Sequence, residues 1–356
     1  MPEEARTDDA GSGGPERLRP TIHDVARHAG VSIGTVSKAL NNGGKLARET
    51  RERIIAVAGE LGFRPNSLAQ SLHRNQSFTV GLISTDSFGR FTMPIMEGLE
   101  ECLTDRRMQV FMCNATDDPE REAQHVESLL RKRIDGLVVT ARRADKRPSI
   151  QPVVHGLPIV YVFSQADDPD ALCLLPDDEG GAVLAVEHLA SLGRRRIAHI
   201  TGPETFEAVR LRKAGYAAAL SAAGLPEING YYLSGVWSEA WGREAVDRLF
   251  QASEVPDALF CGNDQIARGA ADALRERGVA VPQAVSIVGF DNWVVMAGAG
   301  RPPLTSIDMN LTDLGRQAGL CLMQLIGGER LKGVRRLPCT LVVRESCGAN
   351  AVGGSS

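Results

Sequence analysis

The sequence predicts a chain of two unlike parts, a small all-helical module followed by a larger α/β body of two doubly wound lobes. Three observations lead there. Residues 21–61 place apolar side chains at helical spacing in three short stretches, the first two separated by a glycine turn. From Phe78 onward, continuous apolar runs alternate with amphipathic stretches, the pattern of buried parallel strands joined by crossover helices. At 356 residues, the chain is also long enough for more than one core.

Composition narrows the function classes. Hydrophobic residues make up 43% and charged residues 24%, ordinary values for a soluble globular protein. No apolar run approaches the roughly 20 residues that span a bilayer. Residues 1–20 are acidic and rich in Gly and Pro, without the apolar core of a signal peptide, so a disordered leader and a cytoplasmic protein are expected. Cys102, Cys113, Cys173, Cys261, Cys321, Cys339 and Cys347 are odd in number and widely spaced, which suits buried reduced thiols better than disulfides or a metal site. The net charge of −4 hides an asymmetry. Residues 21–76 carry eight basic side chains against four acidic ones, while the leader and the remainder are both acidic. A small basic module on an acidic body suggests a polyanion for the module alone.

The first helix is expected from Thr21, with Thr21 and Asp24 forming a capping box and Ile22, Val25, Ala26 and Ala29 on one face. Gly30 ends it. Ser32 caps a second helix to Leu40, whose inward face carries Val36, Ala39 and Leu40. Its opposite face is short, polar and basic: Gly34, Lys38 and Asn41, flanked by Thr35 and Ser37. Such a face suits a DNA major groove, although a three-helix bundle with no DNA role gives the same pattern. A third helix, from about Arg48 to Leu61, is predicted to bury Ile54, Ile55, Ala58 and Leu61, with Ala47 where a capping Ser is usual. Next, Phe63-Arg-Pro-Asn-Ser-Leu-Ala-Gln-Ser-Leu-His73 reads as a proline stop, an Asn66 cap and two helical turns over 66–73. So short a helix is marginal in water and needs a partner.

Thr21-Ile-x-Asp-Val-Ala, Ala-Gly-Val-Ser, Thr-Val-Ser-Lys-Ala-Leu-Asn41, and then Arg64-Pro-Asn with Ala-Gln-Ser-Leu72, resemble the lactose-repressor (LacI/GalR) family. The resemblance runs from Thr21 to about Cys347. It implies a helix-turn-helix DNA-binding domain at 21–65, a hinge helix and linker at 66–76, and a type I periplasmic-binding-protein-like domain of two lobes at 77–347 that binds effector and dimerises. A flexible tail over 348–356 would follow. It further implies a homodimer on a palindromic operator, with paired hinge helices in the minor groove, Leu72 wedging the central base step and Ala69 near the groove floor. Packing between hinge helices is the alternative role for Leu72. Ser32, Thr35, Ser37 and Asn41 then fit phosphate contacts, Lys38 and Ile33 the base edges, and Thr21 and Asn66 are further expected DNA-binding residues. Gly34 departs from the pattern, because it puts no side chain where the family commonly reads a base.

In the body, 79–84, 109–113, 136–140, 159–163, 196–201, 258–261 and 285–289 read as buried parallel strands, with a further strand near Leu233. By the resemblance, the chain crosses between lobes three times, near Phe163, near Asp291 and near 325–335. Ligands of open parallel sheets bind beyond the carboxyl ends of the strands. That rule singles out Asp86, Phe91, Trp237, Asn263 and Asp291, and the resemblance adds Arg212 on the helix around Val209–Gly215. Asp264 reads more readily as a helix cap than as a ligand, and Arg210 and Arg212 cannot both face a cleft. Carboxylates, an amide, a guanidinium and aromatic faces together suit a sugar or another polyol. Phe163 stands where some members carry a cleft carboxylate.

No nucleophile elbow, phosphate loop, zinc-protease motif or dinucleotide fingerprint is present, so no enzyme and no cofactor is expected. The function read from the sequence is a ligand-responsive, sequence-specific repressor of carbohydrate-utilisation genes. A solute receptor of the same two-lobed fold is the alternative, but it has no use for residues 21–73.

Overall fold

The computed structural model describes residues 20–40, 44–63, 76–150, 153–154 and 156–349. Four expected DNA contacts, Asn41, Asn66, Ala69 and Leu72, lie outside the described residues, as does the whole 66–73 hinge helix. The chain divides into two compact units between Ser77 and Phe78.

The first unit holds α1 (Ile22–Ala29), α2 (Ile33–Leu40) and α3 (Arg48–Glu60). Asp24 closes the N-terminus of α1 by accepting from the Thr21 amide at 2.9 Å and the Thr21 hydroxyl at 2.7 Å. Gly30 takes the left-handed conformation, φ 64°, and the following Val31 amide reaches back to Ala26 O at 3.1 Å. That bond turns the chain sharply into α2. Val25, Ala26, Ala29, Val36, Ala39, Ile54 and Ala58 form the core, with Leu40 and Leu61 packed at its margin. The small residues let the three helices approach closely. One expectation fails: Ile55 is 51% exposed, because about 100° of helix rotation carries it away from Ile54, which points into the core.

The second unit contains two six-stranded sheets. The first is built from β1 (Thr79–Ser84), β2 (Gln109–Asn114), β3 (Gly136–Thr140), β5 (Ile159–Val162), β7 (Leu172–Pro176) and β13 (Gly333–Leu337), and runs β2-β1-β3-β5-β7-β13, all parallel. The second uses β8 (Ile197–Thr201), β9 (Tyr232–Ser234), β10 (Ala258–Cys261), β11 (Ser286–Phe290), β12 (Thr305–Asp308) and β14 (Thr340–Val342), in the order β9-β8-β10-β11-β12-β14. Only β14 runs antiparallel to its neighbour. The two-residue strands β4 (Lys146–Arg147) and β6 (Gln165–Ala166) pair beside the first sheet. The two lobes therefore share one strand order. Most strands are buried along their whole length, as helices on both faces require. β2, expected to be buried, is a half-open edge with Phe111 44% and Met112 43% exposed, since it has a neighbour on one side only.

The three lobe crossings exist, but not where the resemblance put them. The chain leaves the first lobe at 176–178, returns at 308–311, and crosses again at 337–340. Phe163 and Asp291 are instead equivalent turns in the two lobes. Each follows the fourth strand of its sheet, each has positive φ (50° and 97°), and each donates its amide to the next strand, Phe163 to Leu174 O at 2.9 Å and Asp291 to Ile307 O at 2.8 Å. Neither turn is an exit, because β7 and β12 each add one more strand to their own lobe. The third crossing lies beyond 325–335 because β13 is the last strand of the first sheet.

Backbone-close helix pairs brace the lobes. Helix Thr92–Thr104 packs on helix Leu311–Ile326 so tightly that a Cβ on Gly98 would stand 1.8 Å from Thr312 O, and one on Gly315 2.0 Å from Ile95 O. In the second lobe, helix Glu239–Leu249 meets helix Asp264–Glu276 the same way at Gly242 and Gly269.

Candidate functional site

In the first unit, the outward face of α2 presents Ser32, Ile33, Gly34 and Lys38, with Thr35 and Ser37 half-buried beside them. Ser32 caps the helix as expected, accepting from the Thr35 amide at 3.2 Å while its hydroxyl pairs with that of Thr35 at 2.9 Å. Ile33 is 41% exposed, an apolar side chain at the very start of the helix, where a groove-reading helix meets base edges. The Lys38 stem lies against the backbone at Gly44. At the other end of α2, the Arg51 guanidinium of α3 donates to Ala39 O at 3.4 Å, a tie between the helices that the sequence did not suggest.

In the second unit, the carboxyl ends of the two sheets face one another. Two bonds between the lobes show it. Arg90, in the loop after β1, forms an ion pair with Asp291 after β11, and Asp145, after β3, accepts from the Glu207 amide at 2.8 Å. Asp291 and Arg212 are brought together as the sequence suggested. Arg212 is 4% exposed on helix Glu207–Ala222 and donates to Asp178 Oδ1 through Nε at 2.8 Å. Its Nη2 lies 2.6 Å from Asp178 and 3.8 Å from Asp291, and its plane covers the Phe290 ring at 3.6 Å. Arg210 points away, bonded to Glu207 and to backbone carbonyls in solvent.

The other expected residues are more occupied than the sequence implied. Asp86 accepts from the Phe91 amide at 2.8 Å and the Thr92 amide at 3.1 Å, so its carboxylate caps helix Thr92–Thr104. Asn263, not Asp264, caps the next helix, taking the Ile266 amide at 2.8 Å. Asp264 is instead fully buried and accepts from Ser306 Oγ and the Trp293 amide, both at 2.6 Å. Burial, reinforced by the nearby Asp291 charge, raises its pKa to about 7. Burial likewise pushes the Asp291 carboxyl upward, against the pull of the two arginines. Phe91 stacks on Phe163 with ring centres 4.8 Å apart, and Trp237 stacks on Phe206 at 6.3 Å, over Gly202. Phe163 thus supplies an aromatic wall in place of a carboxylate.

Three participants were missed: Asp178, Trp293 and Arg90. Asp177 caps helix Asp178–Ser191, and Asp178, one residue inside the helix, faces Arg212. Trp293 offers its ring to Arg90 at 4.4 Å. Arg90 lies in the loop that had already supplied Asp86 and Phe91, and no spacing rule reaches across 201 residues to Asp291.

Comparisons with known proteins show the family. Residues 21–66 match the model for bacterial regulatory proteins of the lacI family, and 186–347 match a periplasmic binding protein-like domain. Among curated relatives, the HTH-type transcriptional repressor PurR of Haemophilus influenzae is 32% identical over 92% of this chain and 98% of its own length. The ribose operon repressor of Escherichia coli is 33% identical over 91% of this chain and 98% of its own length. The chain belongs to the LacI family. Among solved structures, the lac repressor dimer bound to operator and the anti-inducer ONPF superposes with a TM-score of 0.76 at 29% identity, covering 93% of this chain and all of that one. The LacI-family chain is accordingly a ligand-responsive, DNA-binding transcriptional repressor, and these relatives are transcriptional regulators, not enzymes. Among the described residues, no helix is long and apolar enough to cross a membrane.

Proposed function

We propose that this repressor binds a palindromic operator as a homodimer and releases or tightens its hold when a polyol of sugar size enters the cleft between the lobes. The observation that carries the ligand side is the buried set of Asp178, Arg212 and Asp291 beside the aromatic walls Phe91, Phe163 and Trp293. Polar groups with fixed directions and flat apolar faces are what a ring bearing hydroxyls needs. The comparisons support the class: one relative is a ribose operon repressor, and a cellobiose complex of the regulator CelR superposes with a TM-score of 0.63 at 29% identity. On the DNA side, Lys38 and Ile33 take base edges, while Ser32, Thr35, Ser37 and Asn41 take phosphates and Thr21 and Asn66 complete the DNA-binding set. Leu72 opens the central step, with Ala69 against the groove floor.

The test is a melting screen of the full chain against mono- and disaccharides, since a ligand at 100 times its Kd adds roughly 2.7 kcal/mol. Stabilisation by a sugar that is lost in Asp291→Asn and in Arg212→Met supports the cleft. Stabilisation undiminished in both variants overturns it. For the DNA side, Leu72→Ala is expected to weaken operator binding in gel-shift titrations while leaving ligand affinity intact, and equal operator affinity refutes the wedge.

A further inference from the structure

Arg90 is the cleft residue whose chemistry the polyol reading does not use. Its guanidinium reaches from the first lobe to the second and pairs there with Asp291, with the two side chains only 14% and 7% exposed. Its Nη1 stands 3.5 Å from Gln265 Oε1. One side of its plane meets Trp293 at 4.4 Å and another aromatic ring, Phe91, lies 4.9 Å from its centre, so the fork is held in place. Its Nε is buried without a hydrogen-bond partner. A buried, oriented N–H of a cation with nothing to donate to is an open anion position, because a carboxylate or phosphate takes a guanidinium through Nε and one Nη together.

The ion pair makes the point sharper. Asp291 is the carboxylate best placed to receive ligand hydroxyls, yet it is already engaged by Arg90. A neutral polyol whose hydroxyls displaced Arg90 from Asp291 would separate a buried ion pair and offer the guanidinium no charge in return, which is strongly unfavourable. A ligand carrying its own anionic group supplies the replacement, and frees Asp291 for its hydroxyls.

We propose that the effector is an acidic polyol, a sugar acid or sugar phosphate, whose anion is received by Arg90 while its hydroxyls meet Asp291 and Arg212. The proposal deepens the polyol reading and rests on it. The test is calorimetric titration of the full chain with matched neutral and anionic probes: D-glucose, D-gluconate and D-glucose 6-phosphate, and D-ribose with D-ribose 5-phosphate. In the wild type, an anionic member binds at least tenfold tighter than its neutral partner. That preference disappears in Arg90→Met and survives in part in Arg90→Lys, which keeps the charge and loses the fork. Gluconate and the phosphate esters separate a carboxylate from a phosphate as the preferred anion. Circular dichroism melts without probe establish that each variant is folded.

Two results overturn the assignment to Arg90. One is a neutral sugar that binds as tightly as its anionic partner, and the other is an anion preference that persists in Arg90→Met. Neutral binding abolished by Asp291→Asn, with no binding of the anionic probes, leaves the polyol reading standing and removes the role of Arg90. Binding of no probe at all removes both.

Discussion

At the scale of single residues, two buried ionisable groups lean on stability in opposite directions. His199 is wholly buried, stacked on Phe260 at 4.4 Å with Nδ1 2.9 Å from Phe260 O, and burial lowers its pKa to about 3. The unfolded chain takes up this proton near its ordinary value of 6.5, so stability present above that pH is lost as the pH falls toward 3. Asp264 does the reverse. Its folded pKa of about 7 lies above the ordinary 3.8, so its contribution is full below 3.8 and is lost as the pH rises through 7. Melting temperatures of His199→Phe between pH 4 and 6.5 are expected to lose the acid-side fall of the wild type, and an unchanged slope sinks the assignment. Lys38 belongs to the same scale. Lys38→Ala is expected to relax preference at one base pair, whereas a uniform loss across a randomised operator library would make it a phosphate contact.

At the scale of elements, what was legible in the sequence followed from composition. β1, β3, β8 and β10 are runs of apolar residues buried on both faces, and periodicity shows them without further help. β12 is polar in composition, Thr305-Ser-Ile-Asp308, and is buried only because its neighbours satisfy it. The Thr305 amide donates to Ser346 Oγ at 2.8 Å, its hydroxyl to Arg344 O at 3.1 Å, and Ser306 to Asp264. No local pattern announces partners that lie forty residues away. β13, Gly-Val-Arg-Arg-Leu, is a charged edge and looks like a loop for the same reason. In the cleft, residue types just past strand ends were readable, but not their tasks: Asp86 and Asn263 are spent on helix caps. The helix crossings were silent as well, since a glycine in a helix looks like a weak spot until its neighbour is known. Gly98→Ala should destabilise the second unit by about 1–3 kcal/mol, because Thr312 O lies where the methyl would go. In chemical denaturation, an unchanged midpoint would show that the pair can part without loss.

At the scale of the whole molecule, the three crossings tie the lobes together by hinges of a few residues each, while Arg90–Asp291 and Asp145–Glu207 hold their facing edges. In the Arg90→Met/Asp145→Ala double variant, small-angle scattering from the ligand-free protein is expected to give a larger radius of gyration than the wild type. An identical radius would mean that the hinges alone set the angle between lobes.

The interleaving of the chain also sets an order of assembly. The second lobe draws on one continuous stretch, 178–308, plus the edge strand β14. The first lobe begins at Thr79 but lacks helix Leu311–Ile326 and β13 until Leu337 has been made. On the ribosome, the later-coded lobe can therefore close first, while the earlier one waits with the Gly98 face of its first helix uncovered. A nascent chain stalled so that residues up to about 310 have left the ribosome should protect the second lobe from protease and leave the first open to it. A lobe that starts early and finishes late would then be the part of this repressor most in need of a chaperone.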